Sequence, residues 1–457
     1  MTPTTHVAHI PVAPALVSGP RGLPLIGVAP RLIGDPLTFL ARAAQHHGEL
    51  VRLDLGRRSM LLVLRPDLLR RILQEHVRNY EKNYSQMAEL LGNGIVTSNG
   101  AFWLRQRRLM QPAFHHQKIA ALADMMVVEA SKLAERWEPS ARAGRTLEIG
   151  AEMIDLAQSI ILRTMFSTEA GEQSRQIGQA FSAVLDFANG RQFNPLQPPL
   201  SWPTPANRRF HTTLAFLDKT VYGMIDERRR SGDHGNDLLD MLLDAEDAET
   251  GERMSPQQLR DEVMTIYLAG HETSATMLTW LLHLLPAHPH VERRVRAELA
   301  EVLGGRLPTM ADLPRLSYLR MVIDETLRLY PPTWILTRRA VADDELGGLA
   351  IPAGTTIAMS PYITHRLSEH WENPEGFDPE RFTPERVAGR HKFAYFPFLS
   401  GPRLCIGNSF ALTEIQLVLA TLLQRFQLES IPGYPVSPVA KALLKPGPAV
   451  WMRLAPA

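Results

Sequence analysis

Between Ser255 and Leu285 the chain carries about thirty residues at helical spacing, and the centre of that run, Val263 to Thr273, holds one charge, Glu272. A helix that is apolar on nearly all sides is a buried one, so the fold must build a layer of structure around it. Pro286 is expected to end it. The 457 residues, 45% hydrophobic and 21% charged, are enough for such a core. No stretch reaches the roughly 18 consecutive apolar residues of a membrane span, so no membrane anchor is expected. A formal net charge of +1 gives no global electrostatic case for nucleic acid or an anionic membrane as partner.

Helical patterns dominate the rest. Asp35 to His47 opens on an Asp-Pro cap signal, and Pro66–Glu75, Phe102–Met110, Gln117–Trp137, Leu147–Phe166 and Pro205–Arg230 read as further helices. His290–Val302 and Leu316–Tyr330 follow, the latter stopped by Pro331-Pro332. Leu50–Leu55 and Met60–Leu64 read as paired strands, and Ile335–Ser360 is β-rich with Gly and Pro turns. Trp371–Ser400 is irregular, a helix runs from about Ser409 to Phe426, and Leu428–Leu454 alternates as strands do. An irregular segment that long is uncommon unless a function or a cofactor organises it. Met1–Ser18 lacks a charged start followed by a long apolar run and reads as a disordered leader, not a signal peptide.

Cys405 is the only cysteine, which excludes an internal disulfide and fits a reducing, cytoplasmic location. A lone cysteine is most often a buried structural residue. Its surroundings, Phe398-Leu399-Ser400-Gly401-Pro402-Arg403-Leu404-Cys405-Ile406-Gly407, point elsewhere. Gly401 and Gly407 bracket it, and glycine permits positive φ and close backbone approach. A helix begins directly after, and the amides and dipole of a helix N-terminus favour an anion such as a thiolate. Phe398 is placed to pack beside the sulfur.

On the long helix, Ala269-Gly270-His271-Glu272-Thr273 sets a glycine before an acid and an alcohol. Gly270 lets another group approach the backbone, and Thr273 is placed to bond back to the carbonyl of Ala269 and bend the helix. Glu272 and Thr273 then suit the relay of protons; a core helix with a tolerated polar pair is the plainer alternative.

The cysteine loop resembles the Phe-x-x-Gly-x-Arg-x-Cys-x-Gly pattern of cytochromes P450 at every fixed position, and the resemblance runs from about Gly19 to the end. Ala269–Thr273 resembles that family's oxygen-activation motif. Glu325-Thr326-Leu327-Arg328 is similar to its Glu-x-x-Arg helix and Phe377–Phe382 to the segment whose arginine, here Arg381, joins them in a buried triad. Trp103 to Arg107 resembles its Trp-x-x-x-Arg helix.

The resemblance implies a mainly α fold with a small β-rich region, one domain over residues 19–457, and haem between the long central helix and the helix after the cysteine loop. That replaces the two to four domains, at about 100–200 residues each, that length alone allows. It implies haem b, with Cys405 as the axial thiolate of its iron and Trp103, Arg107, Arg338 and Arg403 toward the propionates. Arg339, adjacent to Arg338, leaves that choice open. Phe398, Gly401, Gly407 and Ala269 would contact the cofactor.

The reaction implied is insertion of one atom of O2 into a hydrophobic small molecule, with Thr273 and Glu272 as catalytic residues. Terpenoids, steroids, fatty acids and polyketides fit, with terpenes or lipids favoured because the Trp-x-x-x-Arg and Pro-Glu-Arg-Phe runs look like bacterial members that act on terpenes or lipids. Substrate-facing stretches implied are Met87–Thr97, Ala180–Pro198, Ile266–Thr273, Thr333–Thr337 and Ala442–Leu444, with Phe181, Val184, Leu185, Phe187, Ile266, Ala269, Trp334, Ile335, Leu336, Leu443 and Leu444 as apolar lining. A peroxide-driven peroxygenase and a non-catalytic haem sensor are the alternatives; Glu272-Thr273 argues against the first.

No Gly-x-Gly-x-x-Gly or P-loop occurs. Electrons are therefore expected from a separate ferredoxin or flavodoxin with its reductase. His46-His47 and His115-His116 lack cysteines or carboxylates at metal-ligand spacing. Glu227–Arg230 reads as a solvated helix end.

Overall fold

A computed structural model describes residues 17–457 except 57, 85–86, 168–175, 185–186, 188–197 and 233–236. The chain divides into two compact units. The leader expected over Met1–Ser18 lies outside the described residues up to position 16. Its last two residues are held: Val17 packs on a hydrophobic core and the Ser18 carbonyl accepts the Arg52 N–H at 3.1 Å.

The first unit comprises residues 17–83, Thr333–Gly376 and Gly389–Cys405. Its sheet runs in the order Leu50–Leu55, Arg58–Val63, Thr356–Met359, Leu336–Ala340, Tyr80–Lys82. Only the pairing of Arg58–Val63 with Thr356–Met359 is parallel. Leu61, Leu62 and Val63 are all fully buried, so this central strand reads as a continuous apolar run and not as an alternation. Leu61, Leu69, Ile72, Leu73, Ile357 and Phe396 belong to the core that the sheet covers. The helix expected over Pro66–Glu75 changes character halfway. Pro66–Arg70 is α-helical, and Arg71–Glu75 widens so that the His76 N–H reaches the Arg71 carbonyl at 2.7 Å.

The second unit comprises Tyr84–Pro332, Phe377–Ala388 and Ile406–Ala457. Its axis is the long helix, Pro256–Ala287. Ser255 and Gln258 close a reciprocal capping box and Pro256 takes the first helical position, where its missing N–H does no harm. The helix passes through Pro286 and ends at Ala287, two residues beyond the expected Leu285, because proline's fixed φ still suits a last turn. Ile149–Phe166 packs along it, His116–Arg142 packs against Asn408–Leu423, and a three-stranded sheet joins Thr146–Glu148, Trp451–Pro456 and Phe426–Ser430. The last helix stops at Leu423, short of the expected Phe426, because Phe426 is already paired with Pro456. No helix among the described residues is long and apolar enough to cross a membrane.

Candidate active site

In the first unit, the Cys405 N–H donates to the Phe398 carbonyl at 2.9 Å and closes the loop on itself. Two left-handed residues shape it, Leu399 at φ 63° and Gly401 at φ 68°. Leu399 packs on the sheet core, which holds a non-glycine residue in this unfavourable conformation. At Gly401 a Cβ would stand 2.2 Å from the Leu73 carbonyl oxygen, in the widened turn of Arg71–Glu75. Only glycine satisfies both limits. Gly407, in the second unit, differs: its φ is −86° and nothing lies within 4 Å of its Cβ position, so protein packing does not demand a glycine there.

Phe396, two residues before Phe398, is buried, and its N–H donates to His365 Nε2 at 3.0 Å. The loop is thus moored on both sides while the Cys405 thiol remains exposed. Arg338 and Arg339 are separated by strand alternation: Arg338 is buried with Leu336 and Ala340, and Arg339 points outward. Arg338 donates to the Thr337 carbonyl at 2.8 Å.

In the second unit, the long helix is buried at every position from Leu259 to Leu282 except Ala269, Gly270, Glu272 and Thr273. The opening coincides with the acid–alcohol motif. Thr273 Oγ donates to the Ala269 carbonyl at 2.7 Å, as the spacing predicts. What crowds Gly270 is a neighbouring helix: its Cβ would stand 3.0 Å from Ile161 Cδ1. His271 is buried, with Nδ1 2.7 Å from the Tyr267 carbonyl, and burial lowers its pKa, so it stays neutral near pH 7.

Two partners of the motif were not legible in the sequence. Lys445 Nζ donates to Glu272 Oε1 at 3.1 Å. Ser274 Oγ donates to Glu414 Oε2 at 2.6 Å, and burial pushes the Glu414 carboxyl up to about 8. Both pairs join segments more than a hundred residues apart, and no local pattern marks such pairs.

Trp103 and Arg107 lie four residues apart on the helix Gly100–Met110, with Trp103 buried. Their neighbours are engaged elsewhere, Arg105 with Glu252 at 2.9 Å and Arg108 with Asp247 at 3.1 Å. The expected triad is in place. Arg328 meets Glu325 through Nε at 2.7 Å and Nη2 at 2.8 Å, and Arg381 Nε lies 3.4 Å from the same carboxylate. The Asp378 N–H adds a bond at 2.8 Å.

Two of the residues expected to line the substrate site pack on protein neighbours. Leu336 belongs to the sheet core and Phe181 lies stacked on Tyr267 at 3.8 Å. Ala269, Ile335 and Leu443 keep exposure, and Leu185 is outside the described residues.

The donor set fits a haem. Among the described residues no three His, Cys, Asp or Glu side chains group as a metal site. The exposed Cys405, on a loop closed by its own backbone, would suit ligation of a haem iron. Indole and guanidinium donors of the kind carried by Trp103, Arg107, Arg338 and Arg403 suit propionates.

Comparison with known proteins agrees. A relative named Cyclooctat-9-en-7-ol 5-monooxygenase, from Streptomyces melanosporofaciens, is 42% identical over 91% of this chain and 90% of its own. Cyclooctatin synthase from the same organism is 39% identical over 94% and 93%. Pentalenene oxygenase from Streptomyces avermitilis is 37% identical over 93% and 94%. The crystal structure of the cytochrome P450DA heme domain superposes with a TM-score of 0.89 at 30% identity, covering 96% of this chain and 97% of that one. The family model for cytochrome P450 matches residues 17–452, through both units, and with the cysteine loop and the opened helix already in view the chain belongs to the cytochromes P450, the haem-thiolate monooxygenases.

Proposed function

We propose that this chain hydroxylates a terpenoid, with Cys405 as the axial thiolate of the haem iron and Glu272 and Thr273 delivering protons on the oxygen side. The observation that carries the site assignment is the exposed Cys405, the chain's one cysteine, on a loop whose backbone is set by Leu399 and Gly401. When bound, haem supplies the binding and activation of O2, and thiolate ligation favours O–O cleavage.

The chain's residues do the rest. Trp103, Arg107, Arg338 and Arg403 hold the propionates, and Phe398, Gly401, Gly407 and Ala269 contact the macrocycle. Thr273 Oγ donates its hydrogen bond to the Ala269 carbonyl, which leaves its lone pairs to accept a hydrogen bond where the helix is open. Glu272 would take a proton from solvent and pass it on toward Thr273. Thr273→Ala is expected to keep reductant consumption while product per reductant falls several-fold and hydrogen peroxide rises. Unchanged coupling removes Thr273 from the relay.

Apolar Ala269, Ile335 and Leu443 favour a hydrocarbon-rich substrate. Relatives whose names denote action on cyclooctat-9-en-7-ol and pentalenene support a terpenoid skeleton. Titrating the ferric protein with terpenoids, steroids and fatty acids is expected to give the spectral change of lost iron-bound water with terpenoids at the lowest concentrations. A response confined to fatty acids or steroids overturns the substrate assignment. The same reading has residues 19–457 acting as one catalytic domain in the cytoplasm, with electrons from a ferredoxin or flavodoxin and its reductase.

A further inference from the structure

Glu272 owes its position to a residue outside any motif. Its side chain is 12% exposed and that of Lys445 is 37% exposed, so the pair bridges the helix opening and the surface. Adjacent residues on a helix do not face one another. A carboxylate drawn to Lys445 is therefore turned aside from Thr273, whose hydroxyl is bonded back to Ala269.

Lys445 stands on a fixed platform. It lies in the strand Leu444–Gly447, paired with Ser437–Ala440 so that Val439 opposes it. Leu444 is fully buried and tied at both backbone groups. Its N–H donates to the Pro332 carbonyl at 2.9 Å, and its carbonyl accepts from Trp280 Nε1 at 3.1 Å. Trp280 belongs to the same helix as Glu272 and is stacked on Tyr330 at 3.8 Å. The ammonium thus approaches Glu272 from a backbone anchored to the helix that carries the acid. His271 beside it is neutral and offers no rival cation.

We propose that Lys445 is a positioning residue for proton delivery, pairing with Glu272 and drawing it to the strand between turnovers. A solvent proton adds to the Glu272 carboxylate as the ion pair opens. The neutral acid passes that proton toward Thr273, and the restored carboxylate pairs again with Lys445, which remains an ammonium throughout. This rests on Glu272 being the relay acid.

The test uses the haem-loaded enzyme with a surrogate ferredoxin and reductase, comparing Lys445→Met, Lys445→Arg and Glu272→Gln. Lys445→Met is expected to lower product per reductant several-fold and to enlarge the solvent deuterium isotope effect, with substrate affinity retained. Lys445→Arg, which keeps the cation, restores coupling. A second readout is independent of turnover. Lysines are reductively methylated with 13C, and the diamagnetic reduced CO complex is read by NMR. The Lys445 signal, identified by its loss in Lys445→Arg, is expected to move in Glu272→Gln at fixed pH. An unmoved signal, or full coupling in Lys445→Met, overturns the role of Lys445. If Glu272→Gln uncouples while Lys445→Met does not, the relay stands and the positioning role fails. If Glu272→Gln stays coupled, the relay assignment fails first.

Discussion

Replacing Cys405 with alanine is expected to abolish substrate oxidation and to remove the long-wavelength band of the reduced carbon monoxide complex from which the family takes its name. The chain has no second cysteine to take over. A thiolate is required both as ligand and as electron donor, and alanine supplies neither. The effect should fall on chemistry and not on folding. The loop is shaped by the Cys405–Phe398 backbone bond, by Leu399 on the core and by Gly401 against Leu73, none of which uses the sulfur. Urea unfolding of the haem-free variant should therefore match that of the haem-free parent. A variant that keeps the long-wavelength band would show that another group ligates the iron.

Arg328→Ala is expected to act on stability. Arg328 and Glu325 are both fully buried. Removing the guanidinium leaves Glu325 with Arg381 at 3.4 Å and one backbone N–H. Breaking a buried pair by losing one partner costs roughly 3–5 kcal/mol, against about 0–1 for an exposed pair. Equilibrium unfolding should read the larger figure, with haem retention falling in parallel because Phe377–Ala388 loses its hold on the helix Ser317–Leu329. A change below about 1 kcal/mol would mean that the triad behaves as a surface pair.

Local signals carried much of the architecture. The Ser255-Pro256 start and the Asp35-Pro36 start act within a few residues, so a linear reading finds them, whereas the choice between Arg338 and Arg339 was settled only by the strand that buries the first. The Thr273 back-bond is local too. Lys445 and Glu414 escaped notice because their partners lie far along the chain and neither sits in a periodic or motif context. Gly401 and Gly407 look equivalent in the sequence. The first is required by a carbonyl that the widening at Arg71–Glu75 brings close, whereas a Cβ on the second would meet no protein atom within 4 Å. Phe181 and Leu336 have the composition of a substrate wall, but residue type alone cannot say which apolar side chain faces a ligand and which faces the core.

The contact between Gly401 and Leu73 also constrains the order of events during synthesis. The two residues are more than three hundred positions apart. The strands between which the chain must return, Arg58–Val63 and Thr356–Met359, are nearly as distant. Closing so long a loop before any contact rewards it is slow. The cysteine therefore reaches its final setting only when almost the whole polypeptide has left the ribosome, and a growing chain offers no finished cradle to a cofactor. Haem loading is therefore expected to follow, and not to guide, the meeting of the cysteine loop with the widened turn at Arg71–Glu75.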